Sequence, residues 1–171
     1  MITVESVIGN VNKDKKLKEI YDEMVSRKSI EIIKISRLES QKVRMRKSSD
    51  KGTDTVLTLQ QGTRLKHGDV MMLTENKMII VEIEPENVLV VEFKENLHED
   101  DVVEVPARVG HTIGNLHRPI KLERRKIYFP IQADTELEMF KKLFVPMNEH
   151  LEIKTTRMVF ESEEGAEIHE H

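Results

Sequence analysis

Seven histidines and no cysteine set the terms for any metal or nucleophilic chemistry in this chain of 171 residues. Without thiols there is no disulfide, no thiolate nucleophile and no sulfur-rich zinc or iron–sulfur site, so a metal ion must be held by imidazole nitrogen or by carboxylate and amide oxygen. Two pairs of histidines are spaced closely enough to consider. His111 and His117 bracket an Ile-Gly-Asn segment in "ARVGHTIGNLHRPI", residues 107 to 120, and His169 and His171 end the chain in "ESEEGAEIHEH". Neutral imidazole suits nickel, copper, zinc and cobalt, and nearby carboxylates help neutralise a divalent charge.

Six residues on a helix of ~100° per residue leave His111 and His117 about 120° apart around the axis, so one continuous helix does not let them chelate a single ion. Gly114-Asn115 changes that geometry. Either residue can adopt the left-handed conformation that ends a helix, which puts His117 outside it on the way to Pro119. Two roles for His117 stay open at this point: a cap whose imidazolium sits near the negative end of the helix dipole, or a ligand. The tail pair likewise reads either as donors on an acidic segment or as a solvated tail or a remnant of a purification tag, since the last eleven residues carry five Glu and no basic residue. His67, His98 and His150 read as exposed loop residues.

Other chemistry is thinly represented. No nucleophile elbow, phosphate loop, dinucleotide fingerprint or glycosidase carboxylate pair appears. The formal charge of −4, from 27 basic and 31 acidic side chains, argues against the positive field that nucleic-acid binding requires. Two Tyr, five Phe and no Trp leave little surface for stacking bases. The N-terminus lacks a basic-then-apolar signal layout and no apolar run reaches the ~20 residues of a membrane span, so the expected compartment is cytoplasmic.

The elements that must position these residues follow from periodicity. Leu17, Ile20, Tyr21 and Met24 predict a helix near 14–27, and residues 30 to 83 predict about five short strands, a small sandwich or barrel-like module. After "EPEN", "NVLVVEF" reads as a strand. Val102, Val105, Val109, Ile113 and Leu116 then fall on one helix face, with Pro106 tolerable only near its start. "PIKLE" and "KIYFPI" read as a hairpin, Thr135 and Glu138 have capping-box spacing ahead of a stripe of Leu137, Phe140, Leu143 and Phe144, and "LEIKTTRMVF" is a last strand. The predicted class is α+β: a β-rich domain over 1–86, a ferredoxin-like βαββαβ domain over 87–160, and a tail over 161–171.

The segments "SRLESQKVRMRK", "VLTLQQGTRLKHGDVMM" and "MIIVEIEPENVLVV" resemble the first domain of the UreE urease accessory family, and "IGNLHRP" is similar to its "G-N-x-H-x-P" segment. The resemblance covers roughly residues 30 to 160. It implies a homodimeric nickel metallochaperone, not an enzyme, whose first domain binds partners and which delivers nickel to apo-urease together with an accessory GTPase. By position it makes His117 the essential ligand, its two copies facing each other across the dimer axis so that one ion is shared. The tail histidines, His169 and His171, match the family habit of a histidine-bearing C-terminus. Family members often carry a histidine five before the essential one; His111 stands six before, which implies an auxiliary role at most. Leu116 replaces the usual Arg. Nickel is inherited from the resemblance, since zinc and copper compete for the same donors. The alternative reading is a ferredoxin-like protein-interaction module without metal.

Overall fold

The computed structural model describes residues 1–162, which mix helix and strand as expected. His169 and His171 lie outside the described residues. The chain divides into two compact units, Met1–Glu84 and a second that begins at Pro85.

In the first unit, helix α1 (Lys15–Ser26) starts where Asp14 accepts hydrogen bonds from the Lys16 and Leu17 amides at 2.9 and 3.1 Å, satisfying two donors that have no partner within the helix. Its apolar stripe buries Leu17 and Met24 against Val70, Met78 and Ile80. The expected five strands are present as β3 (Ile30–Ile35), β4 (Arg44–Ser48), β5 (Asp54–Thr58), β6 (Asp69–Leu73) and β7 (Met78–Ile83). Two further strands, β1 (Ile2–Val4) and β2 (Gly9–Asn10), are too short for periodicity to reveal. They complete two sheets, ordered β1-β5-β4 and β2-β6-β7-β3, with β1 parallel to β5 and β3 parallel to β7.

A buried carboxylate links the two sheets. Glu31 on β3 receives the Ser49 hydroxyl at 2.6 Å and pairs with the Lys77 ammonium at 2.7 Å, and that ammonium also donates to the Thr53 hydroxyl at 2.8 Å. Burial pushes the Glu31 carboxyl up, but the bonds from Lys77, Ser49 and Thr53 outweigh it and bring it down to about 2. Asp50 accepts from the Ile32 amide at 2.8 Å and returns its own amide to the Ile32 carbonyl at 2.9 Å, so the turn between β4 and β5 covers the edge of β3.

The second unit runs β8 (Glu86–Phe93), α2 (Asp101–Asn115), β9 (Lys121–Glu123), β10 (Lys126–Pro130), α3 (Asp134–Leu143) and β11 (Leu151–Met158), forming one sheet in the order β11-β8-β10-β9 with every pairing antiparallel. Alternate residues of the strands meet the helices in one core: Leu89, Val91 and Phe93 from β8, Ile127 and Phe129 from β10, and Val105, Val109 and Ile113 from α2. Phe140 of α3 packs edge-on against Phe129 with ring centroids 4.7 Å apart.

Two helix expectations need correction. Val102 and Leu116, assigned to the buried stripe of α2, are 52% and 39% exposed, Val102 lying in the first turn and Leu116 at the C-cap. The Thr135–Glu138 capping box does not form: α3 begins at Asp134 after Ala133, without a side-chain cap, so Thr135 already lies inside the first turn. Glu136 reaches back instead and accepts the Gln132 amide at 2.6 Å. Pro106 sits in the second turn of α2, where it withholds the donor that would have met the Val102 carbonyl.

Candidate metal centre

His117 is placed by the way α2 ends. Asn115 is the last helical residue and Leu116 its C-cap, the His117 amide donates to the Gly114 carbonyl at 2.9 Å, and the Arg118 amide reaches back to the Ile113 carbonyl at 3.4 Å. These are the paired bonds of a Schellman motif, whose following residue must be left-handed and is usually glycine. That residue here is His117, with φ of 52°. The expectation that Gly114 or Asn115 would supply the left-handed turn is thus wrong: both stay within α2, and the turn comes at the histidine itself. A Cβ in this region costs roughly 1–2 kcal/mol, so His117 occupies a position that glycine would hold at lower energy.

The imidazole is exposed, and it stands at the carbonyl end of a fifteen-residue helix, where the dipole favours a cation. His111 does not converge with it. It lies on an exposed face of α2 and contacts the Asn115 side chain at 3.0 Å, four residues on. Among the described residues no group of three or more His, Cys, Asp or Glu side chains could hold a metal ion. The described residues of one chain therefore present a single imidazole at this point, and one donor is too few to retain a divalent ion.

The other histidines are used within the fold. His67 is half-buried, its Nδ1 accepting the Ile83 amide at 3.2 Å while its carbonyl receives the Asn10 and Asn12 side chains at 3.0 and 3.2 Å. His150 is likewise not an exposed loop residue; its side chain is 20% exposed and its Nε2 lies 3.3 Å from Glu149 and 3.8 Å from Asp101. Both had been expected in solvent, but the tertiary packing closes over them. His98 is exposed, and its carbonyl accepts the Asp101 and Val102 amides at the start of α2.

Known families and proteins show what this chain is similar to. The sequence profile of the UreE urease accessory protein N-terminal domain matches residues 4–84. Urease accessory proteins UreE from Yersinia aldovae and Yersinia bercovieri are 28% and 29% identical to this chain over 141 residues, covering 80% of it. The first unit thus resembles the UreE N-terminal domain, and most of the chain is similar to UreE proteins. The UreE of Yersinia pestis (strain Pestoides F) matches equally, at 28% identity over 80% of this chain and 59% of its own. The chain spans about 60% of the length of the curated relatives it matches.

Two features near His117 escape a reading for ligands. Gly110 and Gly114 share a face of α2 with Val103 and Ala107, all within about 60° of one another around the axis. A Cβ added at either glycine would meet nothing within 4 Å, and Val103 is 74% exposed. The sequence carries that spacing openly. It does not reveal that Arg118, next to His117, pairs with Glu136 of α3, both largely buried, because the partners are eighteen residues apart on different elements.

Proposed function

We propose that this chain is a nickel-binding metallochaperone, with no catalytic activity of its own, that hands its cargo to apo-urease with the help of an accessory GTPase. The observation that carries this reading is His117: an exposed imidazole held in a strained left-handed cap at the negative end of α2. Lys28 and Arg124 are left-handed as well, so it is the conformation together with an exposed imidazole at a helix C-terminus that sets His117 apart.

With one imidazole at this point among the described residues, a second copy supplies the next donor, and the open face of α2 fits that arrangement. Two mid-helix glycines each cost up to about 1 kcal/mol relative to alanine, and they let a second backbone approach closely. In a homodimer the two His117 side chains share one ion across the two-fold axis, His169 and His171 complete its coordination, and His111 stands aside as an auxiliary donor. Few ligands leave open positions, so nickel passes to a partner by ligand exchange; zinc and copper compete for the same nitrogens. The β-α-β-β-α-β order with sheet order β11-β8-β10-β9 supports a ferredoxin-like reading of the second unit. The first unit is the surface for protein partners, in the cytoplasm.

Calorimetric titration with nickel of the wild type, His117→Ala and a chain truncated after Glu164 tests this. Nickel affinity falls at least about a hundredfold in His117→Ala, since each dimer loses both shared nitrogens, and by a smaller factor on truncation. Unchanged affinity in both variants sinks the assignment.

A further inference from the structure

We propose that Arg118 and Glu136 are positioning residues: their ion pair holds residue 117 left-handed and so fixes the direction in which the His117 imidazole leaves the helix end. This deepens, and rests on, the reading of His117 as a nickel ligand.

A histidine in the left-handed region needs outside support, since glycine alone is at ease there. The helix end gives only part of it. Of the two capping bonds, that from His117 to Gly114 is short at 2.9 Å, whereas that from Arg118 to Ile113 is stretched to 3.4 Å. The next residue supplies the rest. The Arg118 guanidinium pairs with one Glu136 oxygen, both side chains being less than one-fifth exposed, and the other oxygen accepts the Gln132 amide at 2.6 Å. Glu136 is itself seated in the first turn of α3, its amide bonded to the Ala133 carbonyl at 3.0 Å, so the anchor cannot drift with the loop. Beyond Arg118 the buried Pro119 confines Arg118 to extended backbone and prevents a return to helix. Residue 117 is thereby fixed from both sides, by the α2 carbonyls before it and the clasp to α3 after it, while among the described residues its own side chain has no hydrogen bond to hold it.

The clasp is chemically matched to this task. A guanidinium to a carboxylate that is itself hydrogen-bonded has directional geometry, which an exposed lysine pair lacks. It also leaves every carboxylate oxygen engaged, so Glu136 does not compete for the metal.

The test uses the full chain, with Arg118→Gln, Arg118→Lys and Glu136→Gln. Two readouts are taken: the strong intraresidue amide-to-Hα NOE that left-handed backbone gives at residue 117, and nickel affinity by titration. In Arg118→Gln and Glu136→Gln that NOE is lost and nickel affinity falls about tenfold; Arg118→Lys, which keeps the charge, recovers part of both. A folded variant that retains the NOE overturns the proposal, even if it melts earlier, because the pair would then serve stability alone. Should Arg118→Gln fail to fold, Glu136→Gln decides on the same readouts. If wild type and His117→Ala bind nickel alike, the metal reading fails, and the NOE still decides the clasp independently.

Discussion

Polar chemistry is turned inward in the first unit and outward in the second. Glu31 is buried, with each oxygen engaged by Lys77 or Ser49, and His67 spends its Nδ1 on the Ile83 amide. His117 has an exposed ring and a backbone that glycine would fit better. A buried group with all its partners in place adds rigidity and has no capacity left for a ligand. A strained, unsatisfied group at the surface does the reverse. Perturbed ionisation does not mark the candidate site, because the carboxyl brought down to about 2 is that of Glu31, in a structural network.

The contrast can be broken most forcefully at Glu31. Glu31→Ala leaves Lys77 without its carboxylate partner and costs about 2 kcal/mol, below the roughly 3–5 kcal/mol of a fully buried pair because Lys77 remains 31% exposed and keeps its bond to Thr53. Urea unfolding measures the loss, and nickel affinity should not move. The same carboxyl sets an acid limit. Its folded value of about 2 lies below the ordinary 4.5, so its contribution is complete above that ordinary value and fades as pH falls from there toward about 2. Unfolding followed from neutral pH down to about 3 should show this slope in the wild type and a shallower one in Glu31→Gln.

A smaller effect, of opposite character, is expected at His117. His117→Gly should be more stable than His117→Ala by about 1 kcal/mol, since alanine keeps the left-handed penalty and glycine does not. Equal stabilities would show that the helix end relaxes around whatever residue is present. Both variants should lose nickel, so here stability and binding separate.

The smallest effect belongs to His111. Its contact is an exposed one with Asn115, so His111→Ala should shift stability by less than about 0.5 kcal/mol and nickel affinity by less than about threefold. A larger loss of affinity would promote it from auxiliary donor to ligand and blur the distinction between the two units.

Much of the frame was legible in the residues because it is local. The stripe of Val105, Val109 and Ile113 fixed where α2 turns its core face, and the alternation in "NVLVVEF" placed Leu89, Val91 and Phe93 beneath it. The sequence also marked His117 as the histidine set apart by a helix end, through Gly114-Asn115 and Pro119. It missed which residue turns left-handed. Propensity favours glycine or asparagine, but the bonds to Ile113 and Gly114 place the turn at the histidine. Propensity is a preference of under a few kcal/mol, and tertiary anchoring overrides it.

What the sequence determined by itself was the donor chemistry, imidazole and carboxylate without sulfur, and the helical and strand faces that follow from spacing. What only the tertiary structure decided was which of those groups are already committed. Glu31 meets Lys77 and Ser49, His67 meets Ile83, and Arg118 meets Glu136 across gaps that no local pattern encodes. Pairing between distant segments depends on how sheets and helices pack, and that packing leaves His117 outside every such pair while holding its backbone in place.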